Sequence, residues 1–277
     1  MPALRLVGNL WTLSGHPHPD IEWPLARKIA AIKTAGFDAV TGYLDEAAVG
    51  LARMEGLDCV GFFWATDFDT IAREAARHRT LGVELLTVFL GRHDTPPDDV
   101  LSLGLALADA GKRHGLYLAP ETHRDTGTET PEKTTALLAS FRQTRGYELP
   151  ITWDFSHPAL VKHLARADWP DRLLAEHENI RAAKLFHFRP FNGQHAQLPV
   201  RVNGRRIPEY EEFLTFFEQV IQLWKSVPEN RQQTMWVCPE LGPVQSGYSL
   251  SHELPPWDQA KILAEDLREV WNKSGAR

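Results

Sequence analysis

The feature that most constrains the fold of this chain is a series of short apolar segments that recurs along its whole length. Eight segments have the length and composition of buried β-strands, and they lie at residues 4–9, 37–41, 57–63, 84–90, 116–121, 150–155, 182–188 and 234–240. Helical patterns lie between them, most clearly from Phe213 to Trp224, where apolar residues follow one helix face. This alternation predicts a parallel sheet with helices packed against it.

Residues typical of helix ends support the same boundaries. A glycine stands shortly before each of five predicted strands, at Gly36, Gly56, Gly82, Gly115 and Gly146. Such a position suits a residue that ends a helix in the left-handed conformation, which glycine adopts at low cost. Thr130-Pro131 and Thr95-Pro96 each resemble a helix start, with threonine as the N-cap and proline as the first helical residue.

An alternating pattern of this kind can close into a barrel or stay open as a doubly wound sheet. Eight units in 277 residues match the usual size of the barrel, and no Gly-x-Gly-x-x-Gly fingerprint follows a predicted strand. We therefore predict an α/β protein, a single (β/α)8 TIM barrel domain over residues 1–277. A long loop at about 190–208, between the seventh strand and its helix, is expected to be functional, as lids of active sites often are.

The composition argues against several classes of protein. A net charge of −6 disfavours binding to nucleic acid or to an acidic membrane surface. Two cysteines, Cys59 and Cys238, cannot build a disulfide framework or a cysteine-rich zinc motif. The sequence has no signal-peptide pattern and no apolar stretch long enough to cross a bilayer. We expect a cytoplasmic protein that acts on a small molecule, with a homo-oligomer left open.

Polar groups end four consecutive predicted strands. Active sites of parallel α/β proteins gather at the C-terminal ends of the strands, where this chain places Glu121, Asp154, His187 and Glu240. The first two intervals are both 33 positions, which is one strand–helix unit each. Because buried carboxylates are costly and repel one another, their convergence predicts a cation among them.

The ligand types favour particular metals. Three carboxylates and one imidazole form an oxygen-rich set, which suits Mn²⁺, Mg²⁺ or Co²⁺ better than a soft-ligand zinc site, although Zn²⁺ also fits. We therefore predict one divalent metal ion, with Mn²⁺ favoured.

Further side chains are expected to face the same mouth. Residues two apart on a strand point the same way, so His123 should lie beside Glu121 and Arg189 beside His187. Both are predicted to bind substrate. Aromatic residues near the ends of strands one and three could form an apolar wall against a sugar or belong to ordinary barrel packing: Trp11, Phe62, Phe63 and Trp64.

The strand ends resemble those of the xylose isomerase-like barrel superfamily, the sugar phosphate isomerases and epimerases. The resemblance rests on APETH at 119–123, WDFSH at 153–157, FHFRP at 186–190 and CPELG at 238–242. The ketose 3-epimerase branch binds its metal through a Glu-Asp-His-Glu set, which the resemblance maps onto the four residues above. It also implies that His157 and Arg189 bind substrate. An aspartate common in the family after the seventh-strand histidine is absent here, which leaves the substrate open.

The resemblance and the ligand set together imply a divalent-metal-dependent isomerase or epimerase of a small sugar, ketose or keto-acid. The reaction would pass through a metal-stabilised enediolate, with Glu121 and Glu240 transferring protons on opposite faces. A dehydratase or lyase acting on a cyclic polyol ketone of the inosose type would share this first step.

Two functions of other classes remain as alternatives. An endonuclease IV-like phosphodiester hydrolase would need further histidines on the early strands and a basic surface. A non-catalytic sugar-binding barrel would not need both glutamates.

Overall fold

All eight predicted strands are present in the computed structural model, which describes residues 2–274. The strands are β1 (Ala3–Asn9), β2 (Ala39–Thr41), β3 (Asp58–Ala65), β4 (Leu85–Leu90), β5 (Tyr117–Pro120), β6 (Thr152–Asp154), β7 (Leu185–His187) and β8 (Thr234–Cys238). The helices are α1 (Leu25–Thr34), α2 (Glu46–Met54), α3 (Phe68–Leu81), α4 (Pro97–His114), α5 (Pro131–Arg145), α6 (Ser156–Val161), α7 (Trp169–Leu173), α8 (His177–Ala182), α9 (Pro208–Lys225) and α10 (Pro256–Lys273). None of the helices within residues 2–274 combines the length and the apolar character needed to cross a membrane.

The strands form one parallel sheet that is nearly closed into a barrel. Their order is β5-β4-β3-β2-β1-β8-β7-β6, so β1 pairs with both β2 and β8. The remaining seam, between β5 and β6, is joined by a parallel bridge between Glu121 and Thr152 and by a 3.1 Å hydrogen bond from the Thr122 N–H to the Thr152 carbonyl. The predicted (β/α)8 TIM barrel is confirmed.

Apolar side chains fill the barrel in two layers. The inner cluster takes one small or medium side chain from most strands, namely Val7, Ala39, Val60, Ala119, Leu185 and Cys238. The larger outer layer lies between strands and helices and includes the buried α9 stripe from Phe213 to Trp224. The barrel interior is thus a packed core rather than a pore, as in other barrels of this type.

The predicted helix boundaries hold with one exception. The five glycines named above all have positive φ, and the Thr130 hydroxyl accepts a 3.2 Å hydrogen bond from the Lys133 N–H as the N-cap of α5. Thr95 is not a helix N-cap: α4 begins at Pro97, with Pro96 as its N-cap. Two prolines in succession allow the helix to start one residue later. The Thr95 hydroxyl instead accepts from the Arg92 N–H and stabilises the preceding turn.

The segment between β7 and α9 packs onto the barrel instead of standing away from it. Phe191 is buried between the rings of Trp169 and Phe216. The Gln197 side chain accepts a 2.7 Å hydrogen bond from the Gly242 N–H, which ties the segment to the loop after β8. These contacts attach the segment to the helices α7 and α9 and to the loop after β8.

Candidate active site and metal centre

The C-terminal ends of the strands surround a cavity of about 460 Å³. This volume lies within the range of ordinary small-molecule sites. The strand ends and the loops that follow them supply its lining, which includes Asn9, Trp11, Thr41, Tyr43, Phe62, Trp64, Thr87, Phe89, Glu121, His123, His187, Arg189, Glu240 and Tyr248. The cavity therefore lies at the end of the barrel where sites of this fold gather.

The four predicted metal ligands meet on one side of this cavity. Glu121, Asp154, His187 and Glu240 each place one ligand atom within 4.8 Å of the others. The His187 Nδ1 lies 3.2 Å from Glu121 Oε1 and 3.3 Å from Glu240 Oε2. Ligands on opposite sides of one small divalent ion are separated by roughly 4–5 Å, twice the usual metal–oxygen distance. The cluster is therefore compact enough for a single ion.

The environment of the Glu121 carboxylate shows whether the cluster suits a metal ion. Its side chain is 1% exposed, and neither carboxylate oxygen has a hydrogen-bond partner among residues 2–274. Burial raises the pKa of Glu121, and the nearby His187 opposes this only in part. A buried carboxylate without donors is costly, and a cation would satisfy both oxygens. The cluster thus fits a divalent metal ion.

Asp154 is fixed in place by its own turn. The N–H and the hydroxyl of Ser156 both donate to Asp154 Oδ1, at 2.8 and 2.6 Å. The other oxygen, Oδ2, lies 3.4 Å from Arg189 Nη2. Burial raises the pKa of Asp154, and the Arg189 guanidinium counteracts this. Ser156 thereby orients one carboxylate oxygen and leaves the other turned towards the cluster, as residues behind metal ligands commonly do.

Glu240 is paired at both oxygens, unlike Glu121. Asn9 Nδ2 donates to Oε1 at 2.8 Å, and Arg189 Nη2 donates to Oε2 at 2.6 Å. Although burial alone would raise the pKa of Glu240, His187 and Arg189 hold it below its ordinary value. The sequence analysis did not assign Asn9 a role in the site. Its position at the end of β1 follows the strand-end rule that found the four ligands.

Arg189 brings a permanent positive charge into the cluster. The residue is 2% exposed and contacts two carboxylates, and those ion pairs raise its pKa although burial opposes them. Three carboxylates and one guanidinium leave two net negative charges, which one divalent cation would neutralise. The Tyr248 ring lies 4.6 Å from the guanidinium carbon and covers it. No sequence pattern pointed to Tyr248, because it lies in an irregular loop after β8.

Gly242 allows the Tyr248 ring to pack over Arg189. A Cβ added there would lie 2.5 Å from the Trp11 ring and 2.6 Å from the Tyr248 ring. These two rings meet edge to face with centroids 5.1 Å apart. A side chain at Gly242 would therefore displace the aromatic pair beside Arg189.

The rings of the two remaining predicted site histidines, His123 and His157, meet at a tilt of 53° with centroids 4.0 Å apart. His123 lines the cavity, and its Nδ1 donates to the Arg124 carbonyl at 2.5 Å. His157 is fully buried and is not among the cavity-lining residues of the described chain. Burial lowers the pKa of both imidazoles, that of His123 to about 4, so both are neutral. Their binding of substrate stays a prediction.

The opposite side of the cavity is aromatic. Phe62 and Trp64 alternate along β3 and line the cavity, whereas Phe63 between them packs into the outer core. Phe89 and Tyr43 extend the wall, with ring centroids 4.6 Å from Trp64 and 4.7 Å from Phe62. Of the wall that the sequence suggested, Phe62 and Trp64 lie on this side and Phe63 is excluded, whereas Trp11 lines the cavity beside Arg189 and Tyr248.

Comparison with known proteins identifies relatives by structure only. No protein-family model matches the sequence, and the search of curated proteins returns no match. The D-allulose 3-epimerase of Methylomonas sp., solved with D-allulose, is 15% identical with a TM-score of 0.60 over 97% of this chain and 98% of that one. The probable 3-DHS dehydratase AsbF of Bacillus anthracis is 14% identical with a TM-score of 0.55 over 95% and 99%.

A third relative is named for the fold itself. A xylose isomerase-like TIM barrel protein of Mycobacterium smegmatis, solved with magnesium, is 14% identical with a TM-score of 0.59 over 96% of this chain and 97% of that one. At such identities the likeness shows a common fold. The fold that the resemblance of the four strand-end motifs implies is thereby confirmed: the chain has the fold of the xylose isomerase-like TIM barrels.

Proposed function

We propose that this protein is a divalent-metal-dependent isomerase or epimerase of a small sugar, ketose or keto-acid. The observation that carries the proposal is the convergence of four ligand groups at a cavity of about 460 Å³, in which the buried carboxylate of Glu121 has only the His187 ring, at 3.2 Å, beside it among the described residues. Two of the structurally similar proteins are a sugar epimerase and a probable dehydratase, which supports this class of chemistry.

Glu121, Asp154, His187 and Glu240 would hold the metal ion, with Mn²⁺ favoured by the oxygen-rich donor set. When bound, the ion would polarise a substrate carbonyl and an adjacent hydroxyl and so acidify the hydrogen between them. The magnesium in the Mycobacterium smegmatis relative supports a divalent ion in barrels of this fold.

Glu121 and Glu240 would transfer the protons, and their surroundings suit them to different roles. Glu121 has a raised pKa and two oxygens without donors among the described residues, so it is suited to remove the substrate proton. Glu240 would return a proton on the other face in an epimerisation. For that it must become protonated, which the donors Asn9 and Arg189 oppose.

Recognition of the substrate would divide between the two sides of the cavity. Arg189 is placed to donate to substrate oxygens and to balance negative charge that develops on them. His123 gives its Nδ1 proton to the Arg124 carbonyl and would accept a hydrogen bond from a substrate hydroxyl through Nε2. The His157 ring contacts the His123 ring and is not among the cavity-lining residues of the described chain. It would act on the substrate by holding His123 in its orientation. Phe62, Trp64 and Phe89 would pack against the C–H faces of a sugar.

The pairing of Glu240 favours a second candidate function, a dehydratase or lyase acting on a cyclic polyol ketone. Such a reaction would start with the same removal of a proton beside the carbonyl by Glu121, and the hydroxyl on the next carbon would leave as water with the proton that Glu121 returns. It needs no second base on the opposite face, so a Glu240 held in its ionised form does not hinder it. The 3-DHS dehydratase among the structural relatives supports this alternative.

The proposal is tested first by metal content. Protein purified without a chelator or a metal-affinity tag is measured by mass spectrometry beside Asp154→Ala and the exposed control Asp171→Ala. We expect near-stoichiometric divalent metal in the wild type and the control, and its loss in Asp154→Ala with the fold retained. Absence of metal in the wild type, with no thermal shift on adding Mn²⁺, Mg²⁺, Co²⁺ or Zn²⁺, would reject the proposal and favour a sugar-binding barrel.

Activity is tested in deuterium oxide. The metal-loaded protein is incubated with a panel of ketoses and cyclic polyol ketones, and NMR follows deuterium entering beside the carbonyl. An isomerised or epimerised product supports the first function, whereas a product lighter by one water supports the second. No exchange on any member of a broad panel would contradict both.

A further inference from the structure

A lysine lines the half of the cavity that is otherwise aromatic. Lys28 lies in the first turn of α1. Within residues 2–274 it is the one charged residue that β1 to β4 and the segments after them contribute to the cavity lining. Its side chain is 11% exposed, although lysine is seldom buried unless its ammonium has a partner. The contacts of this ammonium therefore indicate what the lysine can bind.

Glu22 is the partner of the Lys28 ammonium among the described residues. Lys28 Nζ donates to Glu22 Oε1, and because an ammonium carries three hydrogens, others remain for a further acceptor. The Glu22 side chain is 42% exposed and is not among the cavity-lining residues of the described chain. An ion pair with a solvated member contributes little to stability. Glu22 can therefore turn into the solvent at little cost and leave the ammonium to another acceptor.

The surroundings of Glu22 show which group this position accepts. The Lys28 ammonium and the Gly15 N–H hold the pKa of Glu22 below its ordinary value, so the carboxylate there is ionised. Ser14, directly before Gly15, lines the cavity beside Lys28 in the same half of the mouth. The position that Glu22 occupies thus lies at the edge of the cavity and suits a carboxylate.

Lys28 and Glu121 approach the cavity from different directions. α1 follows β1, which stands four strands from β5 in either direction around the nearly closed sheet. Lys28 therefore comes from the side of the mouth opposite to β5, whereas Glu121 directly follows β5. A substrate whose reacting carbons lie at the four ligand groups would extend towards Lys28 with its other end.

We propose that the substrate carries a carboxylate at the end remote from its reacting carbons, and that Lys28 binds this group in exchange for Glu22. The proposal rests on the function proposed above and narrows its substrate class to sugar acids and keto-acids. Arg189, the other permanent cation among the described lining residues, is already paired with two carboxylates. A carboxylate suits Lys28 better than a phosphate because the group that it replaces is itself a carboxylate with one charge.

Binding of unreactive probes tests the site without turnover. D-glucitol, D-gluconate and the phosphate ester of glucitol share a six-carbon chain and lack a ketone. Tryptophan fluorescence gives the Kd of each, since Trp11 and Trp64 line the cavity. We expect Lys28→Met to weaken gluconate binding about tenfold, through loss of a charge-assisted hydrogen bond, and to leave glucitol binding unchanged. The exposed Lys112→Met is the control and should bind all three probes as the wild type does.

Glu22→Gln tests the exchange of partners in the opposite direction. The variant removes the competing carboxylate and keeps the size of the side chain, so gluconate should bind up to about fivefold more tightly, with glucitol unaffected. The exposed Glu55→Gln should change neither Kd. If Glu22→Gln binds gluconate no more tightly than the wild type does, the exchange is overturned.

Two further outcomes would overturn the proposal. Gluconate binding that is equally strong in Lys28→Met would assign the carboxylate to another cation. Tighter binding of the phosphate ester than of gluconate, lost in Lys28→Met, would replace the carboxylate by a phosphate. Because turnover does not enter these measurements, such results leave the proposed function standing, whereas absence of metal in the wild type rejects that function whatever the probes show.

Discussion

The two halves of the barrel mouth differ in what they place at the cavity. The half formed by β5 to β8 carries Glu121, Asp154, His187 and Glu240, with Arg189 among them. The half formed by β1 to β4 carries aromatic rings, and apart from Asn9 at its border its strand ends add only hydroxyl-bearing threonines. The carboxylates are thus concentrated in one half of the mouth and most of the aromatic rings in the other, where Lys28 of α1 also lines the cavity.

The difference indicates which half would serve the reaction and which half would bind the substrate in the proposed function. In the charged half, formed by β5 to β8, the buried carboxylates repel one another unless a cation lies among them. A substitution there therefore changes the balance of buried charge. Aromatic rings contribute to binding through the apolar area that they bury and through the fit of their flat faces to the ligand. We therefore expect substitutions in the charged half to change the rate or the stability, and substitutions in the aromatic half to change mainly the affinity.

The largest expected effect comes from the charged half. Glu121→Gln keeps the shape of the side chain but removes the proton acceptor, so kcat should fall about a thousandfold, or about 4 kcal/mol in the barrier. The measurement is the rate of deuterium exchange on the substrate found in the panel, with KM followed in parallel. The exposed Glu55→Gln is the control. A Glu121→Gln variant with a normal rate would remove Glu121 from the reaction.

Arg189→Met tests the positive charge inside the charged half. Without the guanidinium, two buried carboxylates lose an ion-pair partner, and the metal-free protein should lose about 3 kcal/mol of unfolding free energy. The loss is at the low end for buried pairs because Asn9 and Ser156 still donate to these carboxylates. Urea unfolding measures it.

The effect of Mn²⁺ on the melting temperature provides a second measurement on Arg189→Met. Mn²⁺ should raise the melting temperature of Arg189→Met more than that of the wild type, because the ion meets one more uncompensated charge. Arg92→Met, at a side chain 62% exposed, serves as the control and should leave both measurements unchanged. Equal stability of Arg189→Met and wild type would mean that the guanidinium does not compensate the cluster.

The smallest expected effect lies in the aromatic half. Trp64→Ala removes a ring from the wall without touching a charged group, so KM should rise about tenfold, or about 1.4 kcal/mol, while kcat changes little. Phe68→Ala, an exposed aromatic residue outside the cavity lining, is the control. A fall in kcat alone would show that the wall orients the reacting atoms, and the two halves would then not be separable.

Much of the fold followed from patterns that are local in sequence. Each strand lies close to its predicted range, because a buried parallel strand must be apolar on both faces and must be bounded by helix-ending residues. The cluster of four groups was also predictable, since parallel strands bring their C-terminal ends to one edge whatever their side chains. Thr95 shows the limit: two successive prolines offered two helix starts, and the local pattern did not decide between them.

Other features depend on neighbours that are distant along the chain. Asn9 pairs with Glu240 across 231 positions because closure of the sheet puts β1 next to β8. Tyr248 covers Arg189 because Gly242 lets the loop after β8 pass close to Trp11. The rings of His123 and His157 meet with centroids 4.0 Å apart, a contact between the ends of two neighbouring strands that no pattern local in the sequence shows.

The sequence by itself therefore determined the barrel, the end of it that carries polar groups and the identity of the four candidate metal ligands. Periodicity and strand ends are properties of a few neighbouring residues, and they survive whatever the rest of the chain does. Only the tertiary structure decided that Glu240 has donors at both oxygens while Glu121 faces only the His187 ring, and that the rings of two histidines meet at a tilt. Hydrogen bonds and burial belong to pairs of residues brought together by closure of the barrel, and no local pattern records which partners will meet.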